Sequence, residues 1–296
     1  MIRVFVPRDS AACSVGADEV AAALAKRAEH LGLQIVRNGS RGLFWLEPMV
    51  EVDTPSGRVA YGPVSAADVD SLVAAKFHAG GKHALSLGNI ESHPYLKNQE
   101  RLTFARCGIT DPVSVEDYVK HGGFEGLKKA LSMAGAAIVA EVSESGLRGR
   151  GGAGFPTGIK WKTVHDAKAD QKYVCCNADE GDSGTFADRM VMEGDPLMLI
   201  EGMTIAGIAT GATRGFVYIR SEYPDAIAAM KEAIAAATKA KWLGDNIQGT
   251  DKSFRLEVRR GAGAYICGEE TAMLESLEGK RGMVRPKPPI PALEGL

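Results

Sequence analysis

The sequence predicts an α/β protein with two domains. Its 296 residues exceed the usual length of one domain, and a hydrophobic content of 45% is enough for two cores. In the C-terminal part of the chain, short apolar strands alternate with helical segments, which is typical of a sheet with parallel strands. A glycine-rich segment, Leu147–Gly158, precedes that alternation.

The N-terminal residues 1–80 predict the order β-α-β-β-β-α. A T-P-S-G turn signal separates the third and fourth strands, and Ser65 with Asp68 fits a capping box at the start of the last helix. The predicted elements are strand Ile2–Val6, helix Ala17–Leu31, strands Gln34–Arg37, Phe44–Asp53 and Arg58–Tyr61, and helix Ser65–Phe77.

Residues 81–98 are predicted to be a linker, and residues 99–296 a second domain. His78, His83 and His93 lack metal-ligand spacing with any cysteine and are interpreted as solvated side chains. The second domain is predicted to hold strands Tyr173–Asn177, Gly215–Arg220 and Phe254–Val258, and helices Phe124–Met133, Ala136–Glu144, Pro196–Gly211, Pro224–Trp242 and Gly268–Glu278.

Composition limits the kinds of partner. A formal charge of −2 gives no reason to expect nucleic acid or an anionic membrane surface. No apolar run reaches the length of a membrane span, and the apolar stretch at the N-terminus is too short for a signal peptide. Five cysteines without framework spacing favour a reducing compartment, so we expect a cytoplasmic protein.

The glycine-rich segment has the properties of an anion-binding loop. Glycines leave main-chain N–H groups free to approach a phosphate closely. The pattern Gly149-x-Gly151-x-x-Gly154 matches a dinucleotide fingerprint, but no apolar strand precedes it. Phe155–Gly158 is not expected to begin a regular helix, so the sequence predicts a phosphate loop of another architecture. A glycine-rich loop without a ligand remains the alternative.

Three blocks carry a resemblance to a known family. They are G-R-G-G-A-G-F-P-T-G-I-K-W from Gly149, Y-V-C-C-N-A-D-E-G-D-S-G-T-F-A-D from Tyr173, and G-A-G-A-Y-I-C-G-E-E-T-A-M-L-E from Gly261. In this order and spacing they resemble the 51-kDa-type flavoprotein subunit of NADH dehydrogenases, which binds FMN and a nicotinamide dinucleotide. With the run E-R-L-T-F-A-R-C-G-I-T-D-P (Glu100–Pro112), the chain looks most like the beta subunit of cytoplasmic, molybdenum-containing, NAD-dependent formate dehydrogenases.

The N-terminal domain resembles the thioredoxin-like [2Fe–2S] ferredoxins. That resemblance places the four cluster ligands at Arg8, Cys13, Ser40 and Phe44, of which only Cys13 is a cysteine. Iron in such clusters is held by thiolates, so one cysteine is not enough. We therefore predict a ferredoxin scaffold without metal that serves docking, with Cys13 an ordinary small buried residue. The second domain is expected to be a Rossmann-like FMN/NAD-binding domain.

The resemblance assigns site residues, and it implies no catalytic side chain because the flavin carries the chemistry. For FMN it implies Gly149, Arg150, Gly151, Gly152, Lys160, Asn177, Asp179, Glu180, Tyr265, Gly268 and Glu269. For NAD it implies Phe155, Asp182, Glu270 and Lys287. Asp182 is shorter than the glutamate common in the family, and two stacking aromatics of relatives appear here as Thr163 and Ile290. No metal ligand is expected in this chain.

The expected function is that of a diaphorase, an NAD(H):FMN oxidoreductase that exchanges electrons with iron–sulfur clusters. The expected partners are a molybdenum and iron–sulfur catalytic subunit and a small [2Fe–2S] subunit, with no direct membrane insertion. Relatives continue beyond P-A-L-E-G-L with a ubiquitin-like domain and a helical [4Fe–4S] domain, so the sequence is expected to be part of a longer, C-terminally incomplete subunit.

Several alternatives stay open from the residues alone. The same module occurs in respiratory complex I and in NAD-reducing hydrogenases, and a non-catalytic docking fragment is the rival of another class. Phe155 could be a core residue, Lys160 a solvated lysine, and Asp179–Asp182 an exposed turn. Glu269 and Glu270 lie in a predicted first helical turn, where the helix dipole alone favours negative charge.

Overall fold

A computed structural model describes residues 1–182 and 184–296. The described chain divides into two compact units. The first comprises Met1–Pro112 together with Glu193–Asp195, and the second comprises Val113–Met192 and Pro196–Leu296.

The first unit is built on a five-stranded sheet in the order β2-β1-β3-β4-β5. β1 runs parallel to β2, which requires a crossover, and the remaining pairs are antiparallel. The strands are β1 (Ile2–Phe5), β2 (Leu33–Val36), β3 (Val50–Thr54), β4 (Gly57–Tyr61) and β5 (Ser86–Asn89); the helices are α1 (Ser10–Cys13), α2 (Ala17–Leu31), α3 (Val69–Ala74) and α4 (Pro94–Lys97).

The crossover helix α2, which has the predicted bounds Ala17–Leu31, covers the sheet with an apolar face. Val20, Ala21 and Leu24 are buried on that face and pack in the same core as Val4 and Val52 of the strands. Glycines bound the helix on both sides: Gly16 at the N-cap has φ 102° and Gly32 at the C-cap has φ 63°, both in the left-handed region.

Three predictions for the first unit differ from the structure. The predicted strand Phe44–Asp53 is a 3-10 turn at Phe44–Leu46 followed by β3, because Pro48 between them has no N–H to donate to a ladder. The Ser65–Asp68 capping box is present, but the helix that it begins is broken into short segments. Residues 81–98, predicted as a linker, contribute β5, which pairs with β4 through Val59 and Ala60.

The second unit contains a three-stranded parallel sheet in the order β6-β7-β8, as the alternating pattern predicted. The strands are β6 (Tyr173–Ala178), β7 (Arg214–Ile219) and β8 (Arg255–Arg260). The helices are α5 (Val115–Lys120), α6 (Glu125–Leu131), α7 (Gly135–Glu144), α8 (Thr157–Asp166), α9 (Ala187–Gly194), α10 (Pro196–Thr210), α11 (Pro224–Lys239) and α12 (Glu270–Leu277).

Helix α10 organises the core of this unit. It is apolar around most of its circumference, and it packs against α6, α7, α8 and α11 as well as β6 and β7. Leu197, Ile200 and Met203 are buried there together with Met230 of α11 and Val217 of β7. None of the described helices is both long and apolar enough to cross a bilayer.

The start of α8 corrects one prediction. Phe155–Gly158 was not expected to begin a regular helix, yet α8 begins at Thr157 directly after Pro156. Pro156 is the N-cap of α8 with a non-helical backbone (φ −59°, ψ 119°), and the N–H that it lacks would take no part in the hydrogen bonds of the helix. The glycine-rich segment therefore does end at a helix N-terminus, although no strand precedes it. Helix α9 was not predicted either.

Candidate functional site

The candidate site lies along the edge where the three parallel strands end. Because β6, β7 and β8 run in one direction and in register, Ala178, Ile219 and Arg260 lie side by side at that edge. The segments that follow these strands are residues 179–182, 220–223 and 261–268. In open α/β sheets ligands bind outside the carboxyl ends of the strands, so these three segments form the expected crevice.

Asn177 ties two of the segments together. Its side-chain Nδ2 donates to the carbonyl of Gly268 at 2.8 Å, and its Oδ1 accepts from the main-chain N–H of Asp179 at 3.2 Å. Glycine at 268 leaves room for this close approach, since a Cβ at that position would lie 3.2 Å from the Asp179 carbonyl oxygen. The amide predicted to contact a flavin thus also fixes the spacing between the loop after β6 and the turn before α12.

Asp179 presents the main unsatisfied polar group of the site. Its Oδ2 is buried and has no hydrogen-bond partner among the described residues. Burial raises the pKa of this carboxyl group, the Arg220 cation opposes that shift, and Glu222 adds to it. A buried acceptor without a donor is rare in proteins and costly, and it fits a site whose donor comes from a ligand, such as a ribityl hydroxyl group.

The Glu180 carboxylate makes three hydrogen bonds within the protein. Its Oε1 accepts from the N–H of Asp188 at 3.0 Å, and its Oε2 accepts from the N–H of Arg189 at 3.3 Å and from the Tyr223 hydroxyl at 3.2 Å. The carboxylate therefore satisfies N–H groups at the beginning of α9, where a negative charge is also favoured by the helix dipole. Since α9 was not predicted, this role was not foreseen.

Asp182 and Tyr265, which the sequence assigned to different ligands, lie together. The Tyr265 hydroxyl donates to Asp182 Oδ1 at 2.9 Å. The ring lies against Gly181, where a Cβ would come within 2.8 Å of ring atoms, and 71% of Tyr265 is exposed. Glycine at 181 therefore allows the ring to lie on the loop after β6, with a large aromatic surface still available for a flat ligand.

Glu269 is the N-cap of α12, which begins at Glu270 and therefore two residues later than predicted. Its Oε2 accepts from the N–H groups of Thr271 and Ala272 at 2.8 and 2.9 Å. Lys287 Nζ bridges Glu269 Oε1 at 3.2 Å and Glu270 Oε1 at 2.5 Å. Burial works to raise the pKa of Glu269, but the bonds from Thr271, Ala272 and Lys287 outweigh it and hold that pKa below its ordinary value.

The glycine-rich loop is closed at its base and open at its tip. Gly149 N–H donates to the Phe155 carbonyl at 2.9 Å, and Thr157 N–H donates to the Leu147 carbonyl at 2.9 Å. Between these bonds, Gly152 (φ 97°) and Gly154 (φ 59°) adopt left-handed conformations. A Cβ at Gly151 or Gly152 would meet no atom within 4 Å, so this tip has room for a bulky anion.

The predicted ligand residues around this loop are accessible. Arg150 and Lys160 are exposed, and half of the Phe155 surface is exposed. Phe155 is thus not a core residue, which was one of the two interpretations left open. Thr163 donates to the Ile159 carbonyl at 2.9 Å on α8, and Ile290 is 45% exposed. Helix α8 is anchored to α10 through His165 Nδ1 and the Ala209 carbonyl, 2.8 Å apart.

Arg220 is a site residue that sequence reasoning missed. It is the first residue after β7, and its guanidinium donates a close hydrogen bond to the carbonyl of Glu180. Its Nε lies 3.4 Å from Glu222 Oε2. The signal was present in the sequence, because a charged residue directly after a buried parallel strand lies at the ligand-binding edge.

The four positions expected from ferredoxins lie in the first unit. The Ser40 hydroxyl donates to Glu47 Oε1 at 2.7 Å in a buried environment. Cys13 is half-buried rather than buried, with its Sγ 3.5 Å from Asp18 Oδ1 and 3.8 Å from the Arg37 guanidinium. Within residues 1–182 and 184–296, no group of three or more histidine, cysteine or acidic side chains is arranged to hold a metal ion.

Comparisons with known proteins identify the family to which this part of the chain is similar. Residues 142–295 match the family model described as the Nuo51 FMN-binding domain. Over 199 residues the chain is 55% identical to the NADP-reducing hydrogenase subunit HndC of Solidesulfovibrio fructosivorans, covering 67% of this chain and 40% of that protein. It is 54% identical over 198 residues to an NADH-quinone oxidoreductase subunit of Rhizobium meliloti, covering 67% and 47%.

A solved structure is similar over nearly the whole chain. The crystal structure of an air-oxidised NAD⁺-reducing [NiFe]-hydrogenase covers 98% of this chain and 48% of its own, with a TM-score of 0.51 and 26% identity. The chain thus spans about half the length of the relatives that it matches.

Proposed function

Because the chain belongs to the FMN-binding 51-kDa flavoprotein family, whose domain model covers residues 142–295, we propose that it is a diaphorase module that exchanges electrons between NAD(H) and iron–sulfur centres. FMN is the cofactor of this domain family. When bound, FMN supplies the redox chemistry, since flavins accept and donate hydride. The protein contributes binding, orientation and charge.

The observation that carries the proposal is the buried, unpartnered Oδ2 of Asp179 at the carboxyl edge of the parallel sheet. A hydroxylated ligand would supply the missing donor. Asn177, Gly268 and Glu269 fix the segments that border this atom, through the bonds described above. The exposed face of Tyr265 is the surface on which a flat ring would rest.

The glycine-rich loop is proposed to hold the phosphate. Gly151 and Gly152 offer main-chain N–H groups at the open tip, whereas the Gly149 N–H is already bonded to the Phe155 carbonyl. Arg150 and Lys160 offer positive charge at an accessible surface. The N-terminus of α8 adds a favourable dipole for an anion. For the dinucleotide we propose Phe155 as the stacking surface, with Asp182, Glu270 and Lys287 as polar contacts.

The decisive experiment is a titration of the chain with FMN, followed by NADH–ferricyanide activity. We expect stoichiometric flavin binding and activity that depends on the bound flavin. A matched variant, Asp179→Asn, keeps the volume of the side chain but removes the carboxylate, and it should weaken FMN binding. A chain that binds neither FMN nor NADH would support the docking fragment instead.

For the complex that contains this module, we propose a cytoplasmic NAD-dependent formate dehydrogenase with a molybdenum and iron–sulfur catalytic subunit and a small [2Fe–2S] subunit. The run Glu100–Pro112 and the N-terminal unit support this choice. The hydrogenase diaphorase is the second candidate, favoured by 55% identity to a hydrogenase subunit. Purification of the native complex decides between them: molybdenum and formate-dependent NAD reduction identify the first, whereas nickel or hydrogen-dependent reduction identifies the second.

A further inference from the structure

Arg220 connects the end of β7 to the loop after β6. Its main-chain N–H donates to the Ala178 carbonyl at 3.4 Å, and its guanidinium donates to the Glu180 carbonyl. The guanidinium also lies 5.0 Å from the centre of the Tyr223 ring, and only 17% of the side chain is exposed. The cation is therefore held on several sides and has little freedom to turn away from the loop.

The loop that Arg220 holds is the acidic one. Glu180 is fixed at both ends, because its carbonyl accepts from Arg220 and its carboxylate accepts from Tyr223 and from two N–H groups of α9. The neighbouring residue is Asp179, whose Oδ2 is buried without a hydrogen-bond partner among the described residues. The position of Asp179 thus depends on the bond that Arg220 makes one residue further along.

Arg220 also supplies the positive charge that this loop needs. The charged groups that act on Asp179 are Arg220, which favours the carboxylate, and Glu222, which disfavours it. On β7, the buried Tyr218 hydroxyl lies 2.9 Å from Ser276 Oγ. Burial raises the pKa of this hydroxyl group, and the charge of Asp179 adds to the shift. Burial and Glu222 both raise the pKa of Asp179, and of the three causes of its shift only Arg220 lowers that pKa.

We infer that Arg220 is a positioning residue for flavin binding: it fixes the Glu180 carbonyl and, with its positive charge near Asp179, prepares that side chain to accept a hydrogen bond from a cofactor hydroxyl group. This inference rests on the proposed function. Arg220 touches the loop and not the cofactor, so its effect is transmitted through Glu180 and Asp179.

The test compares Arg220→Gln and Arg220→Lys with Arg214→Gln. Arg214 lies at the opposite end of the same strand, pairs with Glu257 at 3.1 Å and is 45% exposed, so it is a matched control away from the site. FMN dissociation constants are measured by flavin fluorescence from pH 5 to pH 8, and folding is monitored by thermal unfolding. Losing a charged hydrogen bond should weaken FMN binding by about tenfold or more in Arg220→Gln.

The pH profile separates positioning from a general loss of stability. When the pH is lowered, Arg220→Gln should lose FMN binding at a higher pH than the wild type does, because Asp179 takes up a proton more easily without the neighbouring cation. Arg220→Lys keeps the charge but not the planar fork, so its affinity should fall while its pH profile stays close to that of the wild type. The inference would be overturned if Arg220→Gln had the same FMN affinity and pH profile as Arg214→Gln. It would also be overturned if a folded Arg220→Gln kept the pH profile of the wild type.

A second measurement does not need the flavin. The ionisation of Asp179 can be followed by NMR of its carboxyl carbon in the cofactor-free chain, in the wild type and in both Arg220 variants. If the wild type binds no FMN, the proposed function fails, and this titration still decides about Arg220. A midpoint that moves to higher pH in Arg220→Gln but not in Arg220→Lys supports the electrostatic role, whereas unchanged midpoints refute it. If Arg220→Gln does not fold, Arg220→Lys carries the affinity test.

Discussion

Phe155 leaves half of its surface exposed next to the base of the glycine-rich loop, so its ring is free to stack on a ligand. Replacing it with alanine should weaken NAD(H) binding by a few-fold to roughly tenfold, because an aromatic contact contributes about 0.5–1.5 kcal/mol beyond area burial. FMN should stay bound, since the loop amides and Lys160 are unchanged. The measurement is the NADH dissociation constant together with flavin content.

Ile159 provides the control for that experiment. It is 55% exposed and lies one turn further along α8, so Ile159→Ala removes a similar apolar side chain without touching the proposed stacking surface. NADH binding should be unchanged in this variant. If Phe155→Ala instead expels FMN and leaves NADH binding intact, Phe155 supports the flavin loop and is not a nicotinamide contact.

Glu47 should make the first unit less stable as the pH rises. Burial, only partly offset by the hydrogen bond from Ser40, raises the pKa of this carboxyl group from 4.5 to about 8. The folded state therefore keeps the proton in a pH range where the unfolded chain has lost it. The resulting stabilisation is fully present below about pH 4.5 and is lost as the pH rises to about 8. Each tenfold difference in proton affinity between the folded and unfolded states corresponds to about 1.4 kcal/mol.

Urea unfolding at several pH values tests this effect. Glu47→Gln keeps an amide in place of the neutral carboxyl group and should remove the decline between pH 4.5 and pH 8. Glu29→Gln, at an exposed position near the end of α2, should retain the decline. A wild-type stability that stays level or rises through this range would show that Glu47 is ionised in the fold.

At the scale of elements, the packing of α8 on α7 depends on a single missing side chain. A Cβ on Gly158 would lie 2.3 Å from Ser143 Oγ and 2.6 Å from Ser143 Cα, so even alanine forces the two helices apart. Overpacking of this kind costs about 1–3 kcal/mol. Gly158→Ala should therefore lower the free energy of unfolding by that amount and weaken FMN binding, because the glycine-rich loop lies between these helices in sequence.

Gly202 offers a matched glycine in a neighbouring helix. It lies inside α10, and a Cβ there would meet no atom within 4 Å. Alanine has the higher helix propensity, so Gly202→Ala should stabilise the chain by about 0.5–1 kcal/mol. Denaturant unfolding of both variants gives the comparison, and equal effects at the two positions would contradict the close approach of α7 and α8.

The elements that the sequence predicted best are those with a strong local signal. Strands β6 and β7 are mostly apolar runs, β8 alternates polar and apolar residues from Arg255 to Val258, and α11 begins with Pro224, so their positions follow from neighbouring residues alone. Helix α8 was missed because the glycines and the proline before it resemble a loop, and α9 was missed because the sequence before it is polar. Their starts depend on Pro156 geometry and on Glu180, whose bonds to Asp188 and Arg189 form only in the folded chain.

The same distinction holds for the site. The motifs predicted a set of site residues without Arg220, and the structure brings four of the predicted residues together at one edge: Asn177, Asp179, Gly268 and Glu269. The pairing of Asp182 with Tyr265, and of Lys287 with both glutamates, joins residues far apart in the sequence. Such contacts depend on the register of the three parallel strands, and that register could not be predicted from a single sequence.

At the scale of the whole molecule, two of the positions that were expected to hold a cluster, Cys13 and Ser40, make other contacts in the first unit. Ser40 is buried and hydrogen-bonded to Glu47, which in turn accepts from the Met49 N–H at 2.8 Å. Burial, followed by the charge of Asp18, raises the pKa of the Cys13 thiol to about 12. Since the thiolate is the form that binds metal, Cys13 is held in the form that does not.

The resulting prediction is that the 296-residue chain contains no [2Fe–2S] cluster. A cluster needs four thiolates, and three of the four positions are Arg8, Ser40 and Phe44. The chain is produced together with an iron–sulfur assembly system, and iron, acid-labile sulfide and visible absorbance are measured. The triple variant Arg8→Cys, Ser40→Cys and Phe44→Cys is the positive control, because it supplies all four thiols if the scaffold still matches the ferredoxins. Stoichiometric iron with a [2Fe–2S] spectrum in the wild type, lost in Cys13→Ser, would show that the first unit is an electron carrier and not a docking scaffold.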